Sequence, residues 1–394
     1  MKPQNLCWDV AWSIQKKAGQ HLEGDVVLAH PIPDEARSIV ILADGLGSGV
    51  KANVLANLTA RMAVRFAEAR RDLAVFADTI RRTLPVCQIR GISYSTFTII
   101  DLGPDGMVDL AWYGNPSAIL RRVHGKTRQI EGEIVSGKDQ PGQTLYRARC
   151  QVQSGEAIIA CSDGITQAGL GSATFPLGWG IENFAEHLGS SACETASARR
   201  IALWSVNRAL WIDDGRLHDD ASCVVCRRRM PVRLLVVTGP PFEPQDDVEW
   251  AQRIAAHVGP IIVSGGTTAQ ILARELGREL RDEKTLLDPE SRIPPGASMQ
   301  GITLVTEGVI TLKTALDTLS APVHWNDDGD SLLDQFLANL VDADEIHFLV
   351  GSGVNRAHHD PRYGRSMPDR RRLIDDLARI LQDRHCKRTS IEWV

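Results

Sequence analysis

The sequence has no apolar run long enough to cross a membrane, because none approaches the roughly 20 residues that a spanning helix needs. Its first residues, Met1–Trp8, lack the apolar core of a secretory signal peptide. The sequence also has little excess charge of one sign. A net charge of -5 argues against a broad surface for nucleic acid or anionic membranes. We therefore expect a cytoplasmic protein that binds neither nucleic acid nor membrane.

A cysteine pattern that could complete a zinc site is missing as well. Among the 8 cysteines, Cys223 and Cys226 form a C-x-x-C pair, and no second pair accompanies it. The surrounding residues 221–226 have the pattern of a strand, on which residues three apart point to opposite faces. The two thiols therefore do not converge, and we interpret them as small buried apolar residues.

What the sequence does contain is enough length for two domains, since 394 residues exceed what one core usually supports. Residues 1–229 show strands in hairpin-like succession and helices grouped in pairs, which predicts antiparallel sheets covered by helices. Strands and helices alternate over residues 232–394, which predicts a smaller α/β domain with a mostly parallel sheet. The boundary falls in the short basic run Arg227–Pro231, which we interpret as a solvated linker.

Acidic residues at the ends of apolar runs are the most informative feature. Each stands beside glycine or another acid: Asp25, Asp44, Asp163 and Asp219. One Asp-Gly pair is usually only a turn. Several convergent carboxylates need a cation between them, and Mg²⁺ or Mn²⁺ binds carboxylate oxygens together with water. The Gly45 carbonyl is a further candidate ligand, because glycine lets the backbone approach an ion closely. Two such ions activate water and neutralise a phosphoryl group, so the sequence predicts phosphate-ester hydrolysis.

Four motifs occur in the order found in metal-dependent Ser/Thr protein phosphatases of the 2C superfamily: Asp44–Gly49, Gly114–Pro116, Ser162–Gly164 and Asp219–Ser222. They most resemble the bacterial SpoIIE-type branch, over roughly the first three-fifths of the chain. The resemblance implies an α+β four-layer sandwich, in which two antiparallel sheets are flanked by helices. It also implies a centre of two Mn²⁺ or Mg²⁺ ions.

The resemblance further implies a role for each acidic residue. Asp44 bridges the two ions, and Gly45 contributes its carbonyl oxygen. Asp25 binds one ion, whereas Asp163 and Asp219 bind the other; Asp44 and Asp163 are the expected catalytic residues. Asp219 is preferred over its neighbour because the first acid of the Asp219–Asp220 pair matches the family's ligand position.

Other polar residues near these motifs are expected to lie outside the ligand set. Leu46 occupies the position where many eukaryotic relatives carry a histidine that protonates the leaving group, so no general acid is expected from this loop. Asn115 is expected to be a structural turn residue. His21 and His218 are interpreted as surface or structural residues.

The implied activity is hydrolysis of phosphoserine and phosphothreonine on a regulatory protein, such as an anti-sigma-factor antagonist, by a metal-activated water. Two alternatives stay open: a vestigial site in a binding or scaffolding module, and a phosphatase for small-molecule esters. The domain at 232–394 is expected to sense a ligand or to mediate homodimerisation. Its Ser264–Thr268 turn could hold an anion on backbone amides, but it matches neither G-x-G-x-x-G nor a P-loop. The alternative is a helix N-cap by Thr267 or Thr268.

Overall fold

The computed structural model describes residues 6–32, 35–47, 49–69, 72–84, 95–136, 144–282, 295–321, 331–352, 370–385 and 387–394. The chain divides into two compact units, Met1–Met230 (unit 1) and Pro231–Val394 (unit 2). No helix in the described ranges has the length and apolar character needed to cross a bilayer.

Unit 1 contains two sheets built from eleven strands in the described residues: β1 Cys7–Gln15, β2 Asp25–Ile32, β3 Arg37–Gly45, β4 Ser95–Leu102, β5 Met107–Tyr113, β6 Ile119–Arg121, β7 Thr127–Gln129, β8 Glu133–Ser136, β9 Leu145–Gln151, β10 Ala157–Cys161 and β11 Ala221–Arg229. The first sheet has the order β1-β11-β10-β6-β7, and the second has the order β2-β3-β4-β5-β9-β8. Neighbouring strands in both sheets are antiparallel. The predicted mixed α+β architecture with antiparallel sheets is therefore confirmed.

The helices of unit 1 in the described residues are α1 Val50–Glu68, α2 Leu73–Thr83, α3 Asp163–Thr166, α4 Gly180–Leu188, α5 Ala192–Thr195 and α6 Ala198–Ile212. The apolar spacing of the sequence predicts helix from Cys193 to Leu210, and the structure divides this stretch into α5 and α6. Ser197 begins a new helix there, because its side chain accepts a hydrogen bond from the Arg200 backbone N–H.

Three apolar cores hold these elements together. One lies between the sheets and contains Val40 and Leu42 of β3. Ile39 and Ile41 of the same strand point the other way and pack against α1 and α2. A third core joins the outer face of the first sheet to α3, α4 and α6. The unbroken apolar run of β3 follows from burial on both faces of the strand.

The two cysteines of the C-x-x-C pair lie in different cores of unit 1. Cys223 packs against the helices on the outer face of the first sheet. Cys226 lies in the core between the sheets. Both are free and buried, so the prediction that the thiols diverge is confirmed.

The basic run at the end of unit 1 is not a solvated linker, contrary to our prediction. Arg227, Arg228 and Arg229 belong to β11 and pair with β1. Arg229 Nε lies 2.9 Å from Asp9 Oδ2, and Arg228 Nη1 donates to the Val152 carbonyl over 2.8 Å. The arginines therefore extend a strand, because their long side chains find acceptors along its edge.

Unit 2 is built around a sheet of seven strands in the described residues: β12 Arg233–Thr238, β13 Ile261–Ser264, β14 Leu280–Asp282, β15 Ala297–Met299, β16 Leu304–Thr306, β17 Glu345–Val350 and β18 Arg388–Trp393. Their order is β14-β15-β16-β13-β12-β17-β18. The five strands from β16 to β18 are parallel, and β14 and β15 add antiparallel pairs. The chain builds outward from β12 in one direction and then restarts at β17 in the other, so the strand order reverses between β12 and β17.

Helices cover both faces of this sheet: α7 Asp247–Ala255, α8 Gly266–Leu276, α9 Val309–Ser320, α10 Leu332–Asp342 and α11 Arg370–His385. The helices α7 and α8 share one core with the sheet, and α9, α10 and α11 share the other. The expected N-cap by Thr267 or Thr268 is wrong. Gly265 is the N-cap residue of α8, and no side chain caps this helix. Thr268 Oγ1 instead accepts a hydrogen bond from the Gly239 backbone N–H.

Candidate metal centre

Two of the candidate acids are neighbours across the second sheet of unit 1. Asp25 is the first residue of β2, and Asp44 is the next-to-last residue of β3. The strands run antiparallel with Asp25 opposite Asp44. Because the start of one strand meets the end of the other, both acids lie at the same edge of the sheet.

The other two candidates come from the first sheet of unit 1. Asp163 begins α3 directly after β10, and Asp219 lies just before β11. The two segments are joined at this point, since the Ser162 N–H donates to the Ser222 carbonyl over 3.0 Å. A Cβ added to Gly164 would lie only 2.0 Å from the Asp220 carbonyl oxygen, so glycine permits this close approach of the two chains.

A serine hydroxyl connects the two pairs. Ser222 Oγ on β11 donates to Asp25 Oδ2 over 2.5 Å, between residues that are 197 positions apart in the sequence. The other oxygen, Asp25 Oδ1, is buried and has no hydrogen-bond partner. The fold therefore brings acids of both sheets to one place and leaves a buried carboxylate oxygen unused.

Burial and mutual repulsion raise the pKa values of these acids. Burial raises the pKa of Asp25 to about 8, despite hydrogen bonds from Ser222 and Ser162 that oppose the change. Burial, followed by the charges of Asp25, Asp163 and Asp219, holds the pKa of Asp44 well above its usual range. Burial and the Asp219 charge also raise the pKa of Asp163. A cation among these carboxylates would remove the repulsion.

The donor set suits a hard divalent cation, although the side chains are not arranged around one. Among the described residues, no three His, Cys, Asp or Glu side chains stand in a group that could hold a metal ion. Asp25 and Asp163 lie close enough to Asp44 for their charges to raise its pKa. The terminal torsion of aspartate is broad, so a carboxylate can turn toward an ion, and carboxylate oxygens are the donors that Mg²⁺ or Mn²⁺ prefers.

Gly45 lies at the same edge of the second sheet of unit 1 as Asp25 and Asp44. A Cβ on Gly45 would lie 2.1 Å from the Ala52 carbonyl oxygen of α1, so the sheet and the helix meet at closer range than any side chain allows. The Gly45 carbonyl oxygen lies 3.6 Å from the position of a Cβ on Gly24, directly before Asp25. The carbonyl is therefore near the acids, as a ligand would need to be.

Asp220 has a different task from its neighbour Asp219. Its Oδ1 accepts a hydrogen bond from the Lys17 N–H over 2.8 Å, and its Oδ2 accepts one from the Gly24 N–H over 2.9 Å. Both oxygens thus hold the segment that leads into β2. Asp219 is only partly buried, and its charge acts on Asp44 and Asp163.

Sequence reasoning missed three polar residues at this site. Ser162 and Ser222 contact Asp25, and Gln167 Nε2 donates to Asp163 Oδ2 over 2.8 Å. Both serines lie inside the motifs already singled out, directly before Asp163 and two residues after Asp220. A hydroxyl on a strand gives no signal of the distant residue that it contacts, so only the fold could show this.

The remaining polar candidates behave as predicted. Asn115 is buried, its Oδ1 accepts from Thr96 Oγ1 over 2.6 Å, and its Nδ2 donates to Thr98 Oγ1 over 3.2 Å. It is a structural residue of the turn after β5. His218 is largely exposed and lies 3.2 Å from Asp213 Oδ2, and His21 is exposed.

Comparison with known proteins identifies the domain type. The model of the family described as Stage II sporulation protein E (SpoIIE) matches residues 34–229. This segment is a SpoIIE-type domain. It is of the PP2C type, the class of metal-dependent protein phosphatases, so the predicted membership of the 2C superfamily is confirmed.

Solved structures similar to this chain include the phosphatase domain of the cell-fate determinant SpoIIE from Bacillus subtilis, at 15% identity and a TM-score of 0.46, covering 58% of this chain and 94% of that one. A Mycobacterium tuberculosis protein with RsbU and RsbW domains is 17% identical with a TM-score of 0.48, covering 70% of this chain and 71% of that one. RsbX in complex with magnesium is 17% identical with a TM-score of 0.40, covering 56% and 95%. A search of curated proteins finds no match.

Proposed function

We propose that the SpoIIE-type domain hydrolyses phosphoserine and phosphothreonine on a regulatory protein, with two Mn²⁺ or Mg²⁺ ions held by Asp25, Asp44, the Gly45 carbonyl, Asp163 and Asp219. The observation that carries the proposal is the proximity of acids from both sheets, whose burial and charges raise the pKa values of Asp25, Asp44 and Asp163, together with the buried Asp25 Oδ1, which has no hydrogen-bond partner. As part of the proposal, we take the three cores of unit 1 to be those of a four-layer sandwich.

Each residue has a defined part in this proposal. Asp44 would hold both ions, since the charges of Asp25, Asp163 and Asp219, which come from both sheets, all act on it. Divalent ions in such a set activate water and neutralise charge on a phosphoryl group. Leu46 cannot transfer a proton, so this loop would supply no general acid for the leaving serine or threonine oxygen. Gln167 and Ser222 orient Asp163 and Asp25.

Phosphate release from a phosphoserine-containing protein, measured with and without Mn²⁺, tests the assignment. Turnover that depends on Mn²⁺ and is lost in Asp44→Asn supports it. Turnover unchanged by this substitution would reject it. We expect the substrate to be a small phosphorylated regulator, of the kind exemplified by an anti-sigma-factor antagonist.

Two further measurements distinguish the alternatives. A vestigial binding module would show no Mn²⁺ binding by calorimetry at millimolar metal. A small-molecule phosphatase would hydrolyse p-nitrophenyl phosphate faster than the phosphoprotein. The role of unit 2 in ligand sensing or homodimerisation stays a prediction.

A further inference from the structure

Unit 2 carries a partly buried arginine whose charge lacks a partner. Arg370 is the first residue of α11, and its Nε atom is buried without a hydrogen-bond acceptor. In the described part of the chain, no carboxylate pairs with it, and burial alone lowers the pKa of its guanidinium. A buried charge without a counter-charge is costly, and a cation at a helix N-terminus also opposes the helix dipole.

This guanidinium lies at the carboxyl edge of the parallel sheet. Its Nη1 donates to the Gly351 carbonyl over 3.3 Å, directly after β17. A Cβ placed on Gly239, directly after β12, would lie 2.3 Å from the same atom. The strand order reverses between β12 and β17, and open α/β sheets bind ligands outside the carboxyl ends of the strands at this position.

The backbone around Arg370 is fixed by close contacts. Gly239 has a φ of +82°, which glycine adopts without strain. Its N–H donates to Thr268 Oγ1 over 3.0 Å. A Cβ on Gly351 would lie only 1.9 Å from the Pro240 carbonyl oxygen, so the two loops touch through their backbones. These contacts therefore fix the backbone that Arg370 contacts at Gly239 and Gly351.

The next two arginines of α11, unlike Arg370, have interaction partners for their charge. Arg371 lies over the Trp393 ring at 5.0 Å, and Arg372 Nε lies 3.8 Å from Asp376 Oδ2. A purely structural role for Arg370 would rest on its one hydrogen bond to Gly351. That bond does not require a positive charge, and it leaves the buried Nε without an acceptor among the described residues.

We propose that Arg370, at the carboxyl edge of the sheet beside Gly239 and Gly351, binds a single phosphate group, either as inorganic phosphate or on a nucleoside monophosphate. The planar guanidinium matches the oxygens of phosphate. The start of α7, which follows β12, carries Asp247 and Glu249, and these acids disfavour a second phosphate there. This site is separate from the proposed phosphatase reaction and does not depend on it.

Calorimetric titration of the full chain with inorganic phosphate and with AMP tests the site, in EDTA so that divalent ions cannot bind elsewhere. We expect binding to the wild type and a loss of at least about tenfold in affinity in Arg370→Gln, because the paired charge is removed. The matched control is Arg372→Gln, on the same helix with an 85% exposed side chain, which should bind as the wild type does. Tighter binding of AMP than of phosphate would identify a nucleotide site, and equal binding a free-phosphate site. Equal affinities in wild type and Arg370→Gln, or no binding of either compound to the wild type, would overturn the proposal.

Thermal unfolding without phosphate tests independently whether the Arg370 charge lacks a partner. If the Arg370 charge is uncompensated, Arg370→Gln should leave the Tm unchanged or raise it. A lower Tm would show that the charge already has a stabilising partner, and would contradict the inference even if Arg370→Gln folds normally.

Discussion

The two units hold opposite charges at the ends of their strands. In unit 1, acids of two antiparallel sheets meet and raise one another's pKa values. In unit 2, a single arginine meets the backbone at the carboxyl edge of a parallel sheet, and no described carboxylate pairs with it. Folding alone gains nothing from an uncompensated buried charge. This difference agrees with the cations proposed for unit 1 and with the phosphate proposed for unit 2.

The acidic side of this comparison is tested most strongly by Asp44→Asn. We expect phosphate release with Mn²⁺ to fall by about 10³-fold or more, equivalent to about 4 kcal/mol of transition-state stabilisation. The matched control is Glu131→Gln, which makes the same change of charge at an exposed residue and should leave turnover unchanged. Equal turnover in both variants would remove the reason to regard the acids as a functional group.

The Ser222 hydroxyl, which connects the two sheets of unit 1 through Asp25, should increase the affinity for metal. Ser222→Ala removes the donor to Asp25 Oδ2, and loss of such an orienting contact typically costs about 10- to 100-fold in metal affinity. Mn²⁺ calorimetry measures this effect without requiring activity. Ser222→Thr keeps a hydroxyl and should restore affinity.

A buried serine elsewhere in unit 1 provides the control for that measurement. Ser205 is fully buried and donates to the Ile201 carbonyl within α6. Ser205→Ala should bind Mn²⁺ as the wild type does. If both alanine variants weaken binding equally, Ser222 contributes only to general stability and is not a positioning residue.

Glycine substitutions test how tightly the backbone is packed in each unit. Gly45→Ala places a Cβ 2.1 Å from the Ala52 carbonyl oxygen, so we expect a loss of about 2–4 kcal/mol in the free energy of unfolding. Gly266→Ala in unit 2 meets no atom within 4 Å and should change stability by less than about 1 kcal/mol. Urea unfolding measures both, and a stable Gly45→Ala variant would show that the sheet and α1 can separate without cost.

The pH dependence of stability should reveal the acids without metal. Asp25 has a pKa of about 8 in the folded chain against an ordinary value of 3.8. Between these values the unfolded chain has released the proton that the folded chain keeps, so stability falls as pH rises through this window. We expect the Tm of the metal-free protein to decrease from pH 5 to pH 8 and Asp25→Asn to reduce this slope. An identical slope in Asp25→Asn would mean that other groups cause it.

Much of the local structure was predictable from sequence periodicity. The helix from Val50 and the strand Met107–Tyr113 follow directly from their apolar spacing. The predictions were wrong where the same residue type is compatible with two local structures. Arg227–Arg229 has the composition of a solvated linker but forms a strand edge, and Thr268 has the chemistry of an N-cap but bonds the loop after β12. In both cases a tertiary partner decided the outcome.

Residue identity and local spacing are enough to establish the order of the acidic motifs, the glycines beside them and the SpoIIE-type domain. The folded chain was needed to show that Ser222 contacts Asp25, that Asp220 accepts hydrogen bonds from backbone amides, and that Arg370 contacts Gly239 and Gly351. These contacts join residues far apart along the chain, and packing of whole sheets and helices sets their distances. Periodicity within one segment carries no information about which distant segment will lie against it.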